Sequence, residues 1–187
     1  ASAQLHGKTL SAAVERTINE NMQELSPELT TAYTEIALPI SKWPNLDSVV
    51  KISKGDVADT QKWARMLLDS MKTNKKLKTS YPYPIQVWKL GQQALFSLGG
   101  EVVIEYALEL KRMFGQDIFV AAYSNDVMAY IPTARILNEG GYESVSSITS
   151  SSACLPSPWS VAVEPIIMKN IQLIAKQAGV QLNNQQP

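Results

Sequence analysis

The segment spanning residues 81–98 places the strongest constraint on the fold of this chain. Its opening Tyr-Pro-Tyr-Pro at 81–84 excludes a helix, because proline removes a backbone donor and restricts the residue before it. Two short apolar segments follow, at 85–90 and 94–98, on either side of Gly91-Gln92-Gln93. This pattern predicts a β-hairpin. Because a hairpin joins antiparallel strands, a purely parallel sheet is excluded.

The rest of the chain alternates between helical and extended patterns. An apolar residue every fourth position, from Leu10 through Val14 and Ile18 to Met22, predicts an N-terminal helix. Residues 44–54 fit neither the helical period nor the alternation of a strand, so they receive no assignment. Further strands are predicted at 31–40 and 117–123, and further helices at 56–71, 101–113, 135–139 and 161–178. The sequence therefore predicts an α/β or α+β domain, with a layered mixed β-sheet and flanking helices.

Size and charge exclude several classes of protein. The 187 residues fit a single domain or one portion of a larger catalytic domain. Lys and Arg number 17, as do Asp and Glu, so no net positive charge favours nucleic-acid binding. No apolar run approaches the roughly 20 residues of a transmembrane helix. The chain starts at Ala1 with no signal-peptide pattern, which predicts a processed protein or a piece of a longer one.

Only one histidine, His6, and one cysteine, Cys154, are present. A disulfide within the chain, a multi-cysteine zinc site and a histidine-based metal site are therefore excluded. His6 falls in the predicted first helix, and Cys154 falls in a Ser- and Pro-rich loop without a histidine partner. We expect neither to take part in catalysis. No Gly-x-Ser-x-Gly elbow and no P-loop is found.

Polar side chains follow two of the predicted strands. The second hairpin strand leads into Gly99-Gly100-Glu101, and the strand at 117–123 leads into Ser124 and its neighbours. Ligands bind preferentially at the carboxyl ends of strands in such sheets. The residues that this places near one site are Glu101, Asn125, Asp126, Tyr130 and Tyr142. The alternatives are that Glu101 only stabilises a helix N-terminus, and that the two tyrosines only pack.

At these residues the sequence resembles the neutral/alkaline, non-lysosomal ceramidase family. The stretches that carry the resemblance are Val87-Trp88-Lys89-Leu90-Gly91 with Ala94-Leu95, Gly100-Glu101, Tyr123-Ser124-Asn125-Asp126, Tyr130-Ile131-Pro132-Thr133-Ala134-Arg135 and Glu139-Gly140-Gly141-Tyr142-Glu143. His6-Gly7-Lys8-Thr9-Leu10 and the strand after it are also similar to the family. The match covers most of residues 1–143, and the chain is similar to the shorter bacterial members without an immunoglobulin-like domain.

The resemblance implies a zinc-dependent amide hydrolase. In that family, two histidines, a glutamate and a tyrosine hold zinc, and a serine attacks the amide carbon of an N-acyl sphingoid lipid. By resemblance, Glu101 is the glutamate ligand, Tyr130 is the tyrosine ligand, and Tyr142 donates a hydrogen bond to the developing oxyanion. An extracytoplasmic location is implied in the same way.

The chain departs from the family pattern at several positions. The two histidine ligands and the serine nucleophile precede the family's equivalent of the first helix, so only two of the expected ligands are present. Gly99 replaces a proline that is common in the family, and Leu137 stands where an extra tyrosine is common. The second difference predicts a substrate pocket unlike that of true ceramidases.

Three functional hypotheses follow. The leading one is that this chain is the C-terminal part of a zinc-dependent amide hydrolase, inactive alone and completed by an N-terminal portion of the same protein. The alternative is a non-catalytic binding or scaffold module with a ceramidase-like fold. The third is a small enzyme that uses only carboxylate and tyrosine groups. Because a partial domain exposes apolar faces, we also expect self-association.

Overall fold

The computed structural model describes residues 2–73, 78–145, 148 and 155–183. The helices are α1 Ser2–Ile18, α2 Leu46–Ser53, α3 Ala58–Lys72, α4 Ile104–Phe114, α5 Ala134–Glu139 and α6 Val163–Gln177. The strands are β1 Leu29–Pro39, β2 Ser80–Leu90, β3 Gln93–Leu98, β4 Glu101–Val102, β5 Phe119–Ala121 and β6 Tyr130–Ile131. None of the helices in these ranges is long and apolar enough to cross a bilayer.

The main sheet has four strands in the order β1-β2-β3-β5. Strands β1, β2 and β3 are antiparallel neighbours, whereas β5 lies parallel to β3. Strands β2 and β3 form the predicted hairpin, with Gly91 in a left-handed conformation at its turn. The mixed sheet flanked by helices confirms the predicted fold class.

One face of the sheet carries the hydrophobic core. Helix α6 packs against β1 and β2, and its apolar stripe is buried at Ile167, Ile171 and Ile174. From the sheet side, Ile85, Val87 and other side chains of the same face meet this stripe. Burial of each such aliphatic side chain contributes about 2 kcal/mol, so the α6–sheet contact is a main source of stability.

The opposite face of the sheet is open in the described part of the chain. Trp88, Leu95 and Phe119 are direct neighbours across β2, β3 and β5. The side chains of Trp88 and Phe119 are exposed. Two faces with different environments explain why alternate residues of β1 are exposed and partly buried.

Helix α1 confirms the predicted N-terminal helix but ends at Ile18, before Met22. No residue of α1 is buried, and its apolar stripe at Leu10, Val14 and Ile18 faces solvent. The periodicity therefore identified the helix correctly, while the surface that the stripe would pack against is not found among the described residues. Together with the open sheet face, α1 presents a large apolar surface.

The expected helix start at Glu101 is wrong. Glu101 and Val102 form strand β4, which pairs in parallel with β6, and the helix begins only at Ile104. The reason is a long-range contact, because the Glu101 N–H donates to the Ala129 carbonyl oxygen at 2.9 Å. The carboxylate of Glu101 therefore does not serve to stabilise a helix N-terminus.

Helix α2 lies within residues 44–54, which the hydrophobic pattern left unassigned. Asn45 caps it by accepting a hydrogen bond from the Ser48 N–H at 2.8 Å. Helices α2 and α3 pack together around Val49, Ala64 and Leu67, which form a second small core. This helical pair forms one wall of an apolar cavity.

Candidate functional site

The Gly99-Gly100 turn carries the chain from β3 to Glu101. Gly100 has a φ of +69°, and a Cβ atom there would lie 2.7 Å from the Ala129 oxygen and 2.7 Å from Cγ1 of Ile131. Its N–H donates to the Asp126 carbonyl oxygen at 2.7 Å. Only glycine tolerates this close approach in a left-handed conformation. The turn therefore holds Glu101 against the segment that leads to Tyr130.

Glu101 and Tyr130 are direct neighbours in the β4–β6 pair. The Tyr130 hydroxyl donates a hydrogen bond to the Glu101 carboxylate, which is the main reason that the pKa of Tyr130 rises to about 12. Tyr130 therefore keeps its proton at neutral pH. Its backbone is fixed by Trp159, whose indole Nε1 donates to the Tyr130 carbonyl oxygen at 2.8 Å.

Tyr142 completes this group from a turn beyond α5. Its ring lies edge-on to that of Tyr130, with the ring centroids 5.7 Å apart and the planes at 74°. Its side chain is 57% exposed, so it borders the site without being enclosed. The structure thus brings together Glu101, Tyr130 and Tyr142, the residues for which the resemblance implies a metal-ligand or oxyanion role. Packing between the two tyrosine rings is part of this arrangement, as the alternative interpretation held.

Tyr123 belongs to the same group, although the sequence analysis gave it no role. Its hydroxyl also donates to the Glu101 carboxylate, and this hydrogen bond is the largest cause that raises the pKa of Tyr123. Tyr123 follows β5, and β5 is parallel to β3, so their carboxyl ends meet at one edge of the sheet. The neighbouring carboxyl ends of these two strands were the sequence signal that could have identified Tyr123 as a site residue.

Asp126 and Asn125 lie in the loop beside the site. The Asp126 carboxylate accepts a hydrogen bond from the Tyr81 hydroxyl at 2.9 Å, which ties the loop to β2. Burial, and then this hydrogen bond, raises the pKa of Tyr81. Asn125 is exposed and has a φ of 67°. Asp126 therefore holds the loop in place, with its carboxylate engaged by Tyr81.

A metal ion at this site would find two oxygen donors, the Glu101 carboxylate and the Tyr130 phenol. Both suit zinc, and they meet at one place, so they fit half of a four-coordinate site. The described residues contain no cluster of three or more His, Cys, Asp or Glu side chains. His6 lies on α1, where its Nε2 is 3.3 Å from Ser2 Oγ. Cys154 lies outside the described residues.

An apolar cavity opens next to Tyr142. It measures about 970 Å³ and lies between α2, α3 and the segment beyond α5. Its apolar lining residues are Ile52, Val57, Trp63, Val145, Ile148 and Pro158, and Tyr142 forms part of the wall. Trp63 is fixed by donation from its Nε1 to the Leu155 oxygen at 2.8 Å. Sequence reasoning missed the cavity because it depends on the packing of α2 on α3.

No protein-family model, curated protein or solved structure matches this chain significantly. The resemblance to the ceramidase family therefore stays a prediction.

Proposed function

We propose that this chain carries the glutamate and tyrosine half of the zinc site of an amide hydrolase that cleaves N-acyl amides with an apolar chain. The observation that carries the proposal is the Glu101–Tyr130 contact with the Tyr142 ring beside it. The parallel register of β4 with β6 places Glu101 directly opposite Tyr130, so the backbone holds the carboxylate and the phenol next to each other.

Glu101 and Tyr130 would hold the metal through their side-chain oxygens. When bound, zinc supplies Lewis-acid polarisation of the amide carbonyl and a lowered pKa for a water molecule. Within this chain, the Gly100 turn and the Trp159 hydrogen bond fix the positions of the two ligands. Tyr130 would hold the metal as a phenolate, and the proton that it now donates to Glu101 would be released to solvent on binding.

Tyr142 would act on the carbonyl oxygen of the substrate amide. Its ring is held against Tyr130 on one side and borders the apolar cavity on the other. A hydroxyl in this position can donate a hydrogen bond to negative charge that develops on the carbonyl oxygen in the transition state. The role fits the exposure of Tyr142, because a substrate can reach its hydroxyl.

The cavity beside Tyr142 supports an apolar substrate. Its volume of about 970 Å³ lies in the range of ligand-binding pockets, and aliphatic and aromatic side chains form most of its wall. Lys51, Asp56 and Asp59 also line it and can contact polar parts of a ligand. A lipid amide would place its chain here and its carbonyl near Tyr142.

This chain alone would be inactive. Two protein ligands hold zinc weakly, and the nucleophile is not among the site residues. The proposal therefore requires a further polypeptide portion that supplies two histidines and the serine. The open sheet face and the unpartnered stripe of α1 leave room for such a portion.

The test is hydrolysis of a long-chain N-acyl amide by the full-length protein that contains this chain. We expect Glu101→Gln and Tyr130→Phe each to lower zinc affinity and turnover at least tenfold. Glu109→Gln is the matched control, because the Glu109 carboxylate is exposed on α4, where it pairs with Arg112, and its loss should leave zinc affinity and turnover unchanged. Undiminished turnover in both site variants would refute the proposal. Ligand binding without any turnover in the parent protein would favour the binding module.

A further inference from the structure

The Glu101 carboxylate receives a hydrogen bond from Tyr123 as well as from Tyr130. The two phenols reach it from different elements, since Tyr130 lies on β6 and Tyr123 follows β5. Of these two phenols, only Tyr130 is a proposed zinc ligand. The second hydroxyl therefore needs a separate explanation.

The backbone at Tyr123 is held in an unfavourable conformation. Its φ is 55°, a left-handed value that is uncommon and unfavourable for a bulky aromatic residue. Two hydrogen bonds stabilise it, from the Tyr123 N–H to the Gly100 oxygen at 2.9 Å and from the Ser124 N–H to the Leu98 oxygen at 3.0 Å. Such strain is concentrated at functional sites.

These bonds fix Tyr123 relative to Glu101 itself. The oxygen that receives the Tyr123 N–H belongs to Gly100, the residue immediately before Glu101. The Tyr123 hydroxyl contacts the Glu101 carboxylate, so the backbone and the side chain of Tyr123 bind two consecutive residues. The ring of Tyr123 is 55% exposed, so packing in the core does not explain its position.

We propose that Tyr123 is the positioning residue of Glu101, and that its hydroxyl holds one carboxylate oxygen so that the other is presented to the metal. The inference rests on the proposed function. Because the phenol oxygen of Tyr130 would be engaged as a ligand, Tyr123 is the remaining tyrosine whose hydroxyl can orient the carboxylate. Hydrogen bonds of this kind to a ligating group raise metal affinity by tenfold or more.

The experiment measures zinc affinity by competition with a chelator, using the full-length zinc-loaded protein. We expect Tyr123→Phe to weaken zinc binding about tenfold while leaving the midpoint of thermal unfolding of the metal-free protein unchanged. In a Glu101→Gln background the same change should alter zinc affinity less than twofold, because the residue that Tyr123 acts through has lost its charge. Glu109→Gln, on the exposed side of α4, again serves as the control.

The outcomes separate the two proposals. If Glu101→Gln and Tyr130→Phe weaken zinc binding but Tyr123→Phe does not, the positioning role is wrong and the proposed function stands. If Tyr123→Phe acts equally strongly in both backgrounds, it does not work through Glu101, and the inference is again overturned. If none of the three changes affects zinc, the proposed function itself falls, and the positioning role falls with it.

Discussion

Two buried tyrosines in the core should respond in opposite directions when they lose their hydroxyl groups. Tyr83, on β2, is fully buried, and its hydroxyl has no hydrogen-bond partner within the described part of the chain. Tyr106, on α4, is equally buried, but its hydroxyl donates to the Pro132 oxygen at 3.2 Å. The change to phenylalanine is chemically identical at both positions, so each variant is the control for the other.

The magnitudes follow from the cost of an unpaired polar group. A buried hydroxyl without a partner costs about 1–3 kcal/mol, and Tyr83→Phe removes that cost. We expect the variant to raise the free energy of unfolding by about 1 kcal/mol. Tyr106→Phe removes a hydrogen bond and leaves the Pro132 oxygen without its donor, so we expect a loss of about 1 kcal/mol. For a chain of this size, each change moves the unfolding midpoint by about 2–4 °C.

Alkaline pH gives a second readout of the same residues. Burial raises the pKa of Tyr83 and of Tyr106 well above the ordinary value of about 10. Above about pH 10 the unfolded chain therefore loses protons that the folded protein keeps. The unfolded state then binds fewer protons, so the free energy of unfolding falls as the pH rises. Each Phe variant removes one such group and should make this fall less steep.

Urea denaturation of the purified chain at pH 7 and at pH 10.5 measures both effects. The parent, Tyr83→Phe and Tyr106→Phe are compared under the same conditions, with the m-value as the check on two-state behaviour. A loss of stability in Tyr83→Phe at pH 7 would refute the reasoning, because it would mean that the hydroxyl has a partner. Equal pH dependence in all three proteins would refute the link between tyrosine burial and alkaline unfolding.

Three further changes test the site and the exposed surfaces. Tyr142→Phe should lower kcat of the proposed full-length hydrolase about 100-fold with little change in KM, since the lost contact would form only in the transition state; unchanged turnover would contradict the proposed role of Tyr142. Gly100→Ala should destabilise the chain by more than about 2 kcal/mol in urea denaturation, because its Cβ would meet backbone 2.7 Å away at a positive φ; Gly7→Ala, with nothing within 4 Å, is the control. The isolated chain should self-associate in light scattering, and Trp88→Lys with Phe119→Lys should reduce this association, whereas Leu108→Lys, on the exposed side of α4, should not; a monomeric parent chain at high concentration would contradict the expectation.

Local signals were strong enough to predict the longer elements. The two apolar segments on either side of the turn at Gly91 predict the hairpin, and the observed β2 and β3 confirm it. Strand β2 begins at Ser80, five residues before the predicted segment, and β3 begins at Gln93, one residue before. The apolar period of α6 predicted both the helix and the face that is buried at Ile167 and Ile171. In each case the information lies within a few neighbouring residues, which is what a periodicity can report.

The site combines local and long-range information. Glycines before Glu101 and the polar residues after β5 pointed to one edge of the sheet, and the structure places Glu101, Tyr130 and Tyr142 together there. The prediction of a helix at Glu101 was wrong because strands of two residues have no pattern of their own. Strands β4 and β6 form only when the Gly100 turn brings segments nearly 30 residues apart into register.

The sequence by itself determined the class of fold, the mixed sheet and which helices are amphipathic, since hydrophobic period and turn residues act over short distances. Only the tertiary structure decided where those apolar faces lie, and it buried the stripe of α6 while leaving that of α1 exposed. It alone also joined Tyr123 to Glu101 and opened the cavity between α2, α3 and Tyr142. The physical reason is that side-chain contacts between distant segments depend on packing and register, which no local stretch of sequence encodes.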